Sequence, residues 1–155
     1  MANKITVALA GLGSRGKDTY AKAAKIHPDK IEIVAIADVN PKKVEMVAEE
    51  YHVPKERCYT SAEEMLKEEK LADVMFITTQ DRQHVAQAIP ALRKGYHLLL
   101  EKPISPDLDE CREIVEVAKE CDRKEQQKIY QYLMRRGFKS SDILHVMKIW
   151  DEYEE

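Results

Sequence analysis

The sequence predicts an α/β fold, in which a parallel sheet of about five strands has helices on both faces and a helical pair follows it. Between residue 5 and residue 121, short apolar runs alternate with segments whose apolar residues recur at helical spacing. Such alternation is typical of successive β-α-β units. The run from Ala72 to Thr78 is apolar almost throughout, as expected for a strand that is covered on both faces.

The first β-α-β unit, from Thr6 to Asp38, contains the clearest motif of the chain. An apolar strand ends in the glycine turn Gly11-Leu12-Gly13-Ser14-Arg15-Gly16, a helical pattern with Tyr20 on its apolar side follows, and a second apolar strand precedes Asp38. In a dinucleotide-binding turn the first glycine permits the tight turn, the second lets the backbone approach the pyrophosphate, and the third allows close helix packing. The first amides of the helix would hold the phosphate. The motif predicts a Rossmann-type cofactor site that includes every residue of this turn and Asp38; the alternative is a purely structural turn.

Asp38 predicts which nicotinamide dinucleotide is bound. A carboxylate at this position can accept hydrogen bonds from both ribose hydroxyls of NAD, whereas it would repel the 2′-phosphate of NADP. Val39 and Asn40 supply no arginine to offset that repulsion, but Lys42 and Lys43 follow closely. We therefore expect NAD as the cofactor, with NADP not excluded.

The remaining elements are delimited by residues that favour the ends of helices and strands. A second helix is predicted to start at Asn40-Pro41 and end at Val53-Pro54, and a short third strand follows at Cys58 and Tyr59. A helix capped by Ser61 and Glu64 then precedes the fourth strand, over 72–78. The last predicted elements of this part are a helix over 82–94 that stops at Gly95 and a fifth strand over 97–100.

Composition excludes several classes of function. A net charge of -3 over 155 residues gives no basic field, so we expect no nucleic-acid partner. No apolar stretch approaches the roughly 20 residues that span a bilayer, and the first residues lack the apolar core of a signal peptide, so we expect a cytoplasmic chain with no membrane contact. Three cysteines, Cys58, Cys111 and Cys121, have no metal-like spacing; we expect buried or half-buried thiols and no metal site.

A second polar group follows the fourth and fifth strands, where an open α/β sheet binds its ligands. It comprises Thr78-Thr79-Gln80-Asp81-Arg82-Gln83-His84 at the end of the fourth strand and Glu101-Lys102-Pro103 after the fifth. With the glycine turn, the acid after the second strand and Gly95-Tyr96-His97, these motifs resemble the amino-terminal half of the glucose-fructose oxidoreductase, inositol dehydrogenase and MocA (Gfo/Idh/MocA) family over residues 3–121.

The resemblance implies roles for these residues. Lys102 would be the catalytic residue and assist proton transfer at the carbon that exchanges hydride, Glu101 would contact the ribose, and the bond before Pro103 would be cis. Thr78, Thr79 and Asp81 would lie along the cofactor, although Gln80 stands where the family more often has proline. Two alternatives stay open: Glu101-Lys102-Pro103 as a surface turn, and His84 as a structural hydrogen-bonding residue.

The C-terminal part departs from that family. Ser105 and Pro106 are expected to start a helix, after which relatives would continue into a sixth strand and a substrate-binding domain, neither of which we expect here. Asp122 and Glu125 are instead predicted to open a new helix as a capping box, and Ser140 to cap a last one. We therefore predict a dinucleotide-binding domain over residues 1–121 and a helical extension over residues 122–155 that packs on it.

Residues 128–143 have a resemblance of their own. The stretch from Lys128 to Phe138, followed by Ser141-Asp142-Ile143, is similar to the terminal helices of RecX-type regulators of recombinase filaments. An oxidoreductase half joined to such helices suggests a gene fusion or a chimera. Two functional hypotheses result: a nucleotide-binding module of oxidoreductase ancestry without efficient turnover, or a noncatalytic scaffold with a RecX-like contact surface. The C-terminal helices are also a candidate homodimer contact.

Overall fold

The computed structural model describes residues 4–135, 139 and 141. Five strands form one sheet: β1 (Ile5–Ala10), β2 (Ile31–Ala37), β3 (Cys58–Tyr59), β4 (Val74–Ile77) and β5 (His97–Leu100). They lie in the order β3-β2-β1-β4-β5, and every pair is parallel. The predicted parallel α/β sheet is therefore confirmed.

A helix follows each strand. The helices are α1 (Lys22–Ile26), which follows a π-helical stretch over Ser14–Tyr20, α2 (Pro41–Tyr51), α3 (Ala62–Met65), α4 (His84–Arg93) and α5 (Leu108–Arg135). Short 3-10 turns over Lys55–Arg57 and Asp81–Gln83 precede β3 and α4. By its internal contacts the chain divides into two compact units, residues 1–117 and 118–155.

Helix ends follow the predicted signals in the first unit. Asn40 Oδ1 accepts a hydrogen bond from an amide in the first turn of α2, and Ser61 Oγ accepts one from the amide of Glu64 at 3.1 Å. The Glu64 carboxylate accepts in return from Thr60, one residue before the expected partner. Gly95 has φ +82°, so α4 ends in the left-handed conformation that glycine favours.

Apolar clusters cover both faces of the sheet. In β1, Ala8 and Ala10 belong to a cluster that includes residues of α3 and α4, whereas Leu9 belongs to a cluster that includes Val47 of α2. All three β1 residues are 0% exposed. This alternation over the buried residues of β1 is expected for a strand in the middle of a parallel sheet.

Two predictions about the last described helix are wrong. α5 begins at Leu108 and not at Ser105, because Asp107 Oδ1 accepts the amide of Asp109 at 2.7 Å and acts as the cap. The helix then continues to Arg135, so Asp122 does not open a new helix. The residues around Asp122 are mostly Lys, Glu, Arg and Gln, which have high helix propensity and favour continuation over a break. The predicted final helix over 140–150 lies, apart from Ser141, outside the described residues.

Candidate functional site

The glycine turn lies where the strand order changes direction. β2 and β3 extend from one side of β1, whereas β4 and β5 extend from the other. The Gly11 amide donates to the carbonyl of Ala37 at 2.9 Å, and the Thr78 amide donates to the carbonyl of Ala10 at 2.9 Å. The turn is thus held between the ends of β2 and β4, at the crevice where open α/β sheets bind ligands.

Gly11 and Gly16 are required by the packing of the turn. Gly11 has φ +88°, and a Cβ added there would lie 2.6 Å from the carbonyl carbon of Thr78. A Cβ on Gly16 would lie 2.0 Å from the carbonyl oxygen of Gly11. The Thr78 hydroxyl donates to that same oxygen at 2.7 Å. Thr78 is therefore a residue that supports the turn from behind.

Gly13 has a different environment. Its backbone is extended, with φ -77° and ψ -173°, and a Cβ added there would meet nothing within 4 Å. Among the described residues, no side chain caps the helical stretch that begins at Ser14. Gly13 therefore borders open space at the start of a helical stretch, which fits a diphosphate group.

Two backbone amides orient the Asp38 carboxylate. Its Oδ2 accepts from the Leu12 amide at 2.7 Å, and its Oδ1 accepts from the Asn40 amide at 2.8 Å. A carboxylate can accept about four hydrogen bonds, so acceptor capacity remains. The Leu12 side chain is 2% exposed and packs in the core, so Leu12 contributes to the site through its backbone.

The glycine turn, Asp38 and the loop after β4 line a common cavity of about 320 Å³. Its lining includes five predicted site residues, Gly11, Gly13, Asp38, Thr78 and Thr79, and also Lys43, Ser61, Glu63, Gln80, Gln83 and Gln87. A larger and more apolar cavity of about 1060 Å³ between α2 and β3 shares Asp38 and Val39 with it, but no residue of the glycine turn lines it. We assign the candidate site to the smaller cavity because it contains the turn.

A hydrogen-bonded chain holds the loop after β4. The Thr79 hydroxyl donates to Gln87 Oε1 at 2.6 Å, and Gln87 Nε2 donates to Glu63 Oε1 at 2.7 Å. Gln87 is 1% exposed. The hydrogen bond from the Gln87 amide lowers the pKa of Glu63, which favours an ionised carboxylate at the cavity. Asp81 is not in the cavity lining; its carboxylate accepts the Arg82 amide at 2.8 Å.

Glu101 and Lys102 form a second group, after β5. Glu101 is 9% exposed, accepts from the Tyr20 hydroxyl at 2.5 Å, and pairs with Arg15 Nε at 3.5 Å. The bond to Glu101 raises the pKa of Tyr20. The Lys102 side chain is exposed, and the bond between Lys102 and Pro103 is cis, as the family resemblance predicts.

His84 connects the loops after β4 and β5. It is 1% exposed, with Nδ1 2.8 Å from the carbonyl oxygen of Pro103 and Nε2 3.1 Å from that of Thr79. These contacts agree with the structural alternative for His84.

The sequence does not predict the contacts of three polar residues near the site, Tyr20, Glu63 and Gln87. Helical spacing assigns Tyr20 to an apolar face, but the π-helical stretch adds a residue to the turn and shifts the side chains that follow. Glu63 and Gln87 are 24 residues apart, and neither belongs to a local motif. The π-helical stretch itself has no sequence signal that we recognise.

Cys58, Cys111 and Cys121 are half-buried, as predicted. In the described part of the chain, no cluster of three or more His, Cys, Asp or Glu side chains could hold a metal ion. Over the same residues, no helix has the length and apolar character needed to cross a membrane.

Comparison with known families confirms both resemblances. The model of an oxidoreductase family with an NAD-binding Rossmann fold, Gfo/Idh/MocA, matches residues 5–129. The model of the third three-helix domain of RecX matches residues 116–147. The first match extends over all five strands and both groups of site residues.

Individual relatives agree with this result. The WlbA dehydrogenase of Bordetella pertussis, solved with NADH and UDP-GlcNAcA, has a TM-score of 0.68 and 27% identity, over 79% of this chain and 35% of that chain. An oxidoreductase of Thermotoga maritima has a TM-score of 0.67 and 28% identity, over 76% and 35%. The 1,5-anhydro-D-fructose reductase of Ensifer adhaerens is 36% identical over 61 residues, which are 39% of this chain and 18% of the reductase. The chain thus spans about a third or less of the length of these relatives.

Proposed function

The chain belongs to the Gfo/Idh/MocA oxidoreductase family with an NAD-binding Rossmann fold, and on this premise we propose how its residues bind NAD(H). The diphosphate lies over the turn from Gly11 to Gly16, and the adenosine ribose lies against Asp38. The observation that supports this arrangement is the open space at Gly13, in the same cavity as Asp38.

Asp38 makes NAD the preferred cofactor. Its carboxylate is already oriented by the amides of Leu12 and Asn40, so it can accept ribose hydroxyls without rearrangement. A 2′-phosphate would bring negative charge against this carboxylate and raise the free energy of the complex. Lys43 lines the same cavity and would offset part of that repulsion. NADP therefore binds, but more weakly than NAD.

Lys102 is the catalytic residue in this proposal. When bound, the nicotinamide cofactor supplies the hydride-transfer chemistry. Lys102 Nζ would hold or accept the proton of the reacting group, because its side chain is exposed directly after β5. Glu101, held by Tyr20 and Arg15, would contact the ribose at the nicotinamide end.

We further propose that these 155 residues alone bind the cofactor without efficient turnover. Hydride transfer requires reacting atoms about 3 to 3.5 Å apart, and correct orientation can supply about 7 to 11 kcal/mol of the barrier reduction. A single exposed lysine does not orient a sugar in this way. The support for this proposal is that the relatives are about three times as long as the matched region.

The RecX match favours a second candidate function. Residues 116–147 resemble a three-helix domain of RecX. In this candidate function the chain would be a scaffold whose C-terminal helices contact a protein partner or a second copy of the chain. The glycine turn would be inherited but would bind no cofactor. This candidate predicts no cofactor binding. The two candidates therefore differ in a direct binding measurement.

Calorimetric titration with NAD, NADH and NADP tests the proposal. We expect weak but measurable binding of NAD and NADH, weaker binding of NADP, and loss of NAD binding in Asp38→Ala. Asp38→Asn, which keeps one acceptor oxygen, should bind NAD at reduced affinity, and Asp29→Ala is the control for removal of an exposed carboxylate. No heat with millimolar NAD would favour the scaffold, and tighter binding of NADP than of NAD would contradict the role of Asp38.

A further inference from the structure

Tyr20 connects the glycine turn to the segment after β5. It ends the π-helical stretch over Ser14–Tyr20, and its hydroxyl donates to Glu101 Oε2 at 2.5 Å across 81 residues of sequence. Its ring packs edge to face against Phe76 of β4, with centroids 6.1 Å apart. The tyrosine therefore has two separable functions, since the ring packs against the sheet and the hydroxyl holds a carboxylate.

Both oxygens of Glu101 are held by residues from the same stretch. Oε2 accepts from Tyr20, and Oε1 lies 3.5 Å from Arg15 Nε. The Glu101 amide also donates to the carbonyl of Ile77 at 2.9 Å. A carboxylate that is 9% exposed needs such partners, because burial of an unpaired charge is costly. Arg15 is more than half exposed, so solvent screens its contribution and the Tyr20 hydroxyl is the less screened partner.

The segment after β5, from Glu101 to Pro103, is also held at its Pro103 end, by contacts that do not involve Tyr20. Pro103 presents its carbonyl to His84 Nδ1 at 2.8 Å, and His84 is buried against the loop after β4. Lys102 thus stands exposed between two residues that are each fixed to the rest of the fold. Loss of the Tyr20 hydrogen bond would release the Glu101 carboxylate, whereas the Glu101 amide would stay bonded to the carbonyl of Ile77.

We propose that Tyr20 is a positioning residue, which fixes the Glu101 carboxylate beside Lys102 relative to the glycine turn. This inference rests on the proposed function, because it requires that the diphosphate lie on the turn and that the nicotinamide end reach Glu101 and Lys102. Tyr20 then couples the two ends of the cofactor site: the stretch that receives the diphosphate also sets the position of the carboxylate for the nicotinamide ribose.

Tyr20→Phe isolates the hydroxyl, because phenylalanine keeps the ring contact with Phe76. Two ligands separate the two ends of the site: ADP reports on the turn and Asp38, whereas NADH also reports on Glu101. We expect the variant to bind NADH about tenfold more weakly, the effect of a hydrogen bond to a charged group, with ADP affinity unchanged. Tyr51→Phe is the matched control, since it removes the same atom from α2.

Each outcome of these titrations decides the proposal. Unchanged NADH binding in Tyr20→Phe, or equal loss of NADH and ADP, would overturn it, the second because it shows a general structural role. If the unaltered chain binds ADP but gains nothing from the nicotinamide half of NADH, the inference fails and the proposed turn survives. If the chain binds neither ligand, the proposed function fails and the inference with it. Glu101→Gln is the second variant if Tyr20→Phe does not fold; it should show the same selective loss for NADH.

Discussion

At the scale of single residues, the three glycines of the turn differ in what a side chain would meet. A Cβ on Gly16 would lie 2.0 Å from one backbone oxygen, Gly11 combines contacts at 2.6 Å with φ +88°, and Gly13 faces open space. The motif predicts three glycines with three functions, and the geometry assigns two of them to packing. Gly11 and Gly13 both line the cavity that the proposed cofactor would fill, but of the three glycines of the turn only Gly13 has open space where a side chain would stand.

This difference predicts opposite effects for two alanine substitutions. Gly13→Ala should change the free energy of unfolding by less than about 1 kcal/mol, because its extended backbone suits alanine, yet it should abolish NAD binding by placing a methyl group in the site. Gly16→Ala should destabilise the fold by about 1 to 3 kcal/mol or more through overpacking. Urea unfolding and calorimetry on both variants measure the two effects. Normal NAD binding by Gly13→Ala would contradict our placement of the diphosphate.

At the scale of elements, β1 and β4 are joined by side chains as well as by their backbones. Asp73 Oδ2, just before β4, accepts from the amide of Thr6 at 2.9 Å and from its hydroxyl at 2.7 Å. The Asp73 amide donates in return to Thr6 Oγ1 at 2.9 Å. The hydrogen bond from the Thr6 hydroxyl is the main reason that the pKa of Asp73 is lowered. The pair therefore stabilises the central strand pairing that carries the glycine turn.

A lowered pKa gives this pair a defined pH dependence. The stabilisation should be fully present above the unfolded-state pKa of Asp73, about 3.9, and should be lost as the pH falls through its lower folded-state pKa. Asp73→Asn should lower the thermal midpoint at pH 7, and the difference from the unaltered chain should shrink toward pH 2. Asp29→Asn, at an exposed position, is the control. A difference that is constant with pH would show that ionisation of Asp73 contributes nothing.

At the scale of the whole molecule, the chain combines two matches of unequal extent. The oxidoreductase family covers residues 5–129, and the RecX model covers residues 116–147, so the two overlap within α5. The predicted packing of the C-terminal helices on the α/β body, and the predicted homodimer, remain predictions. Thermal unfolding and solution mass of a chain that ends at Cys121 would test both.

The proposed lack of efficient turnover is a prediction for the 155-residue chain. With NAD and a panel of sugars and inositols, we expect rates far below the typical kcat range of about 1 to 1000 per second, because nothing in the proposal orients a substrate against Lys102. Absorbance of NADH measures the rate, and Lys102→Ala is the matched variant. Turnover of one polyol at ordinary enzyme rates, lost in Lys102→Ala, would refute this prediction.

The sequence alone determined the sheet, the order of its elements and the cofactor motif. Apolar runs and turn residues act locally, so β5 is found at the predicted residues and α4 stops before Gly95, as predicted. Helix boundaries were less predictable where several residues could act as a cap. Asp107 rather than Ser105 caps α5, because its carboxylate accepts the amide of Asp109. The helix passes through Asp122 because strong helix formers surround that residue.

Only the tertiary structure decided how the site is held together. Tyr20 meets Glu101 across 81 residues, and Gln87 meets Glu63 across 24. Such pairs have no local pattern, since they depend on which loops the strand order places side by side. The tertiary structure also separated Gly13 from Gly11 and Gly16, because a motif records that three glycines are present but not which of them faces open space.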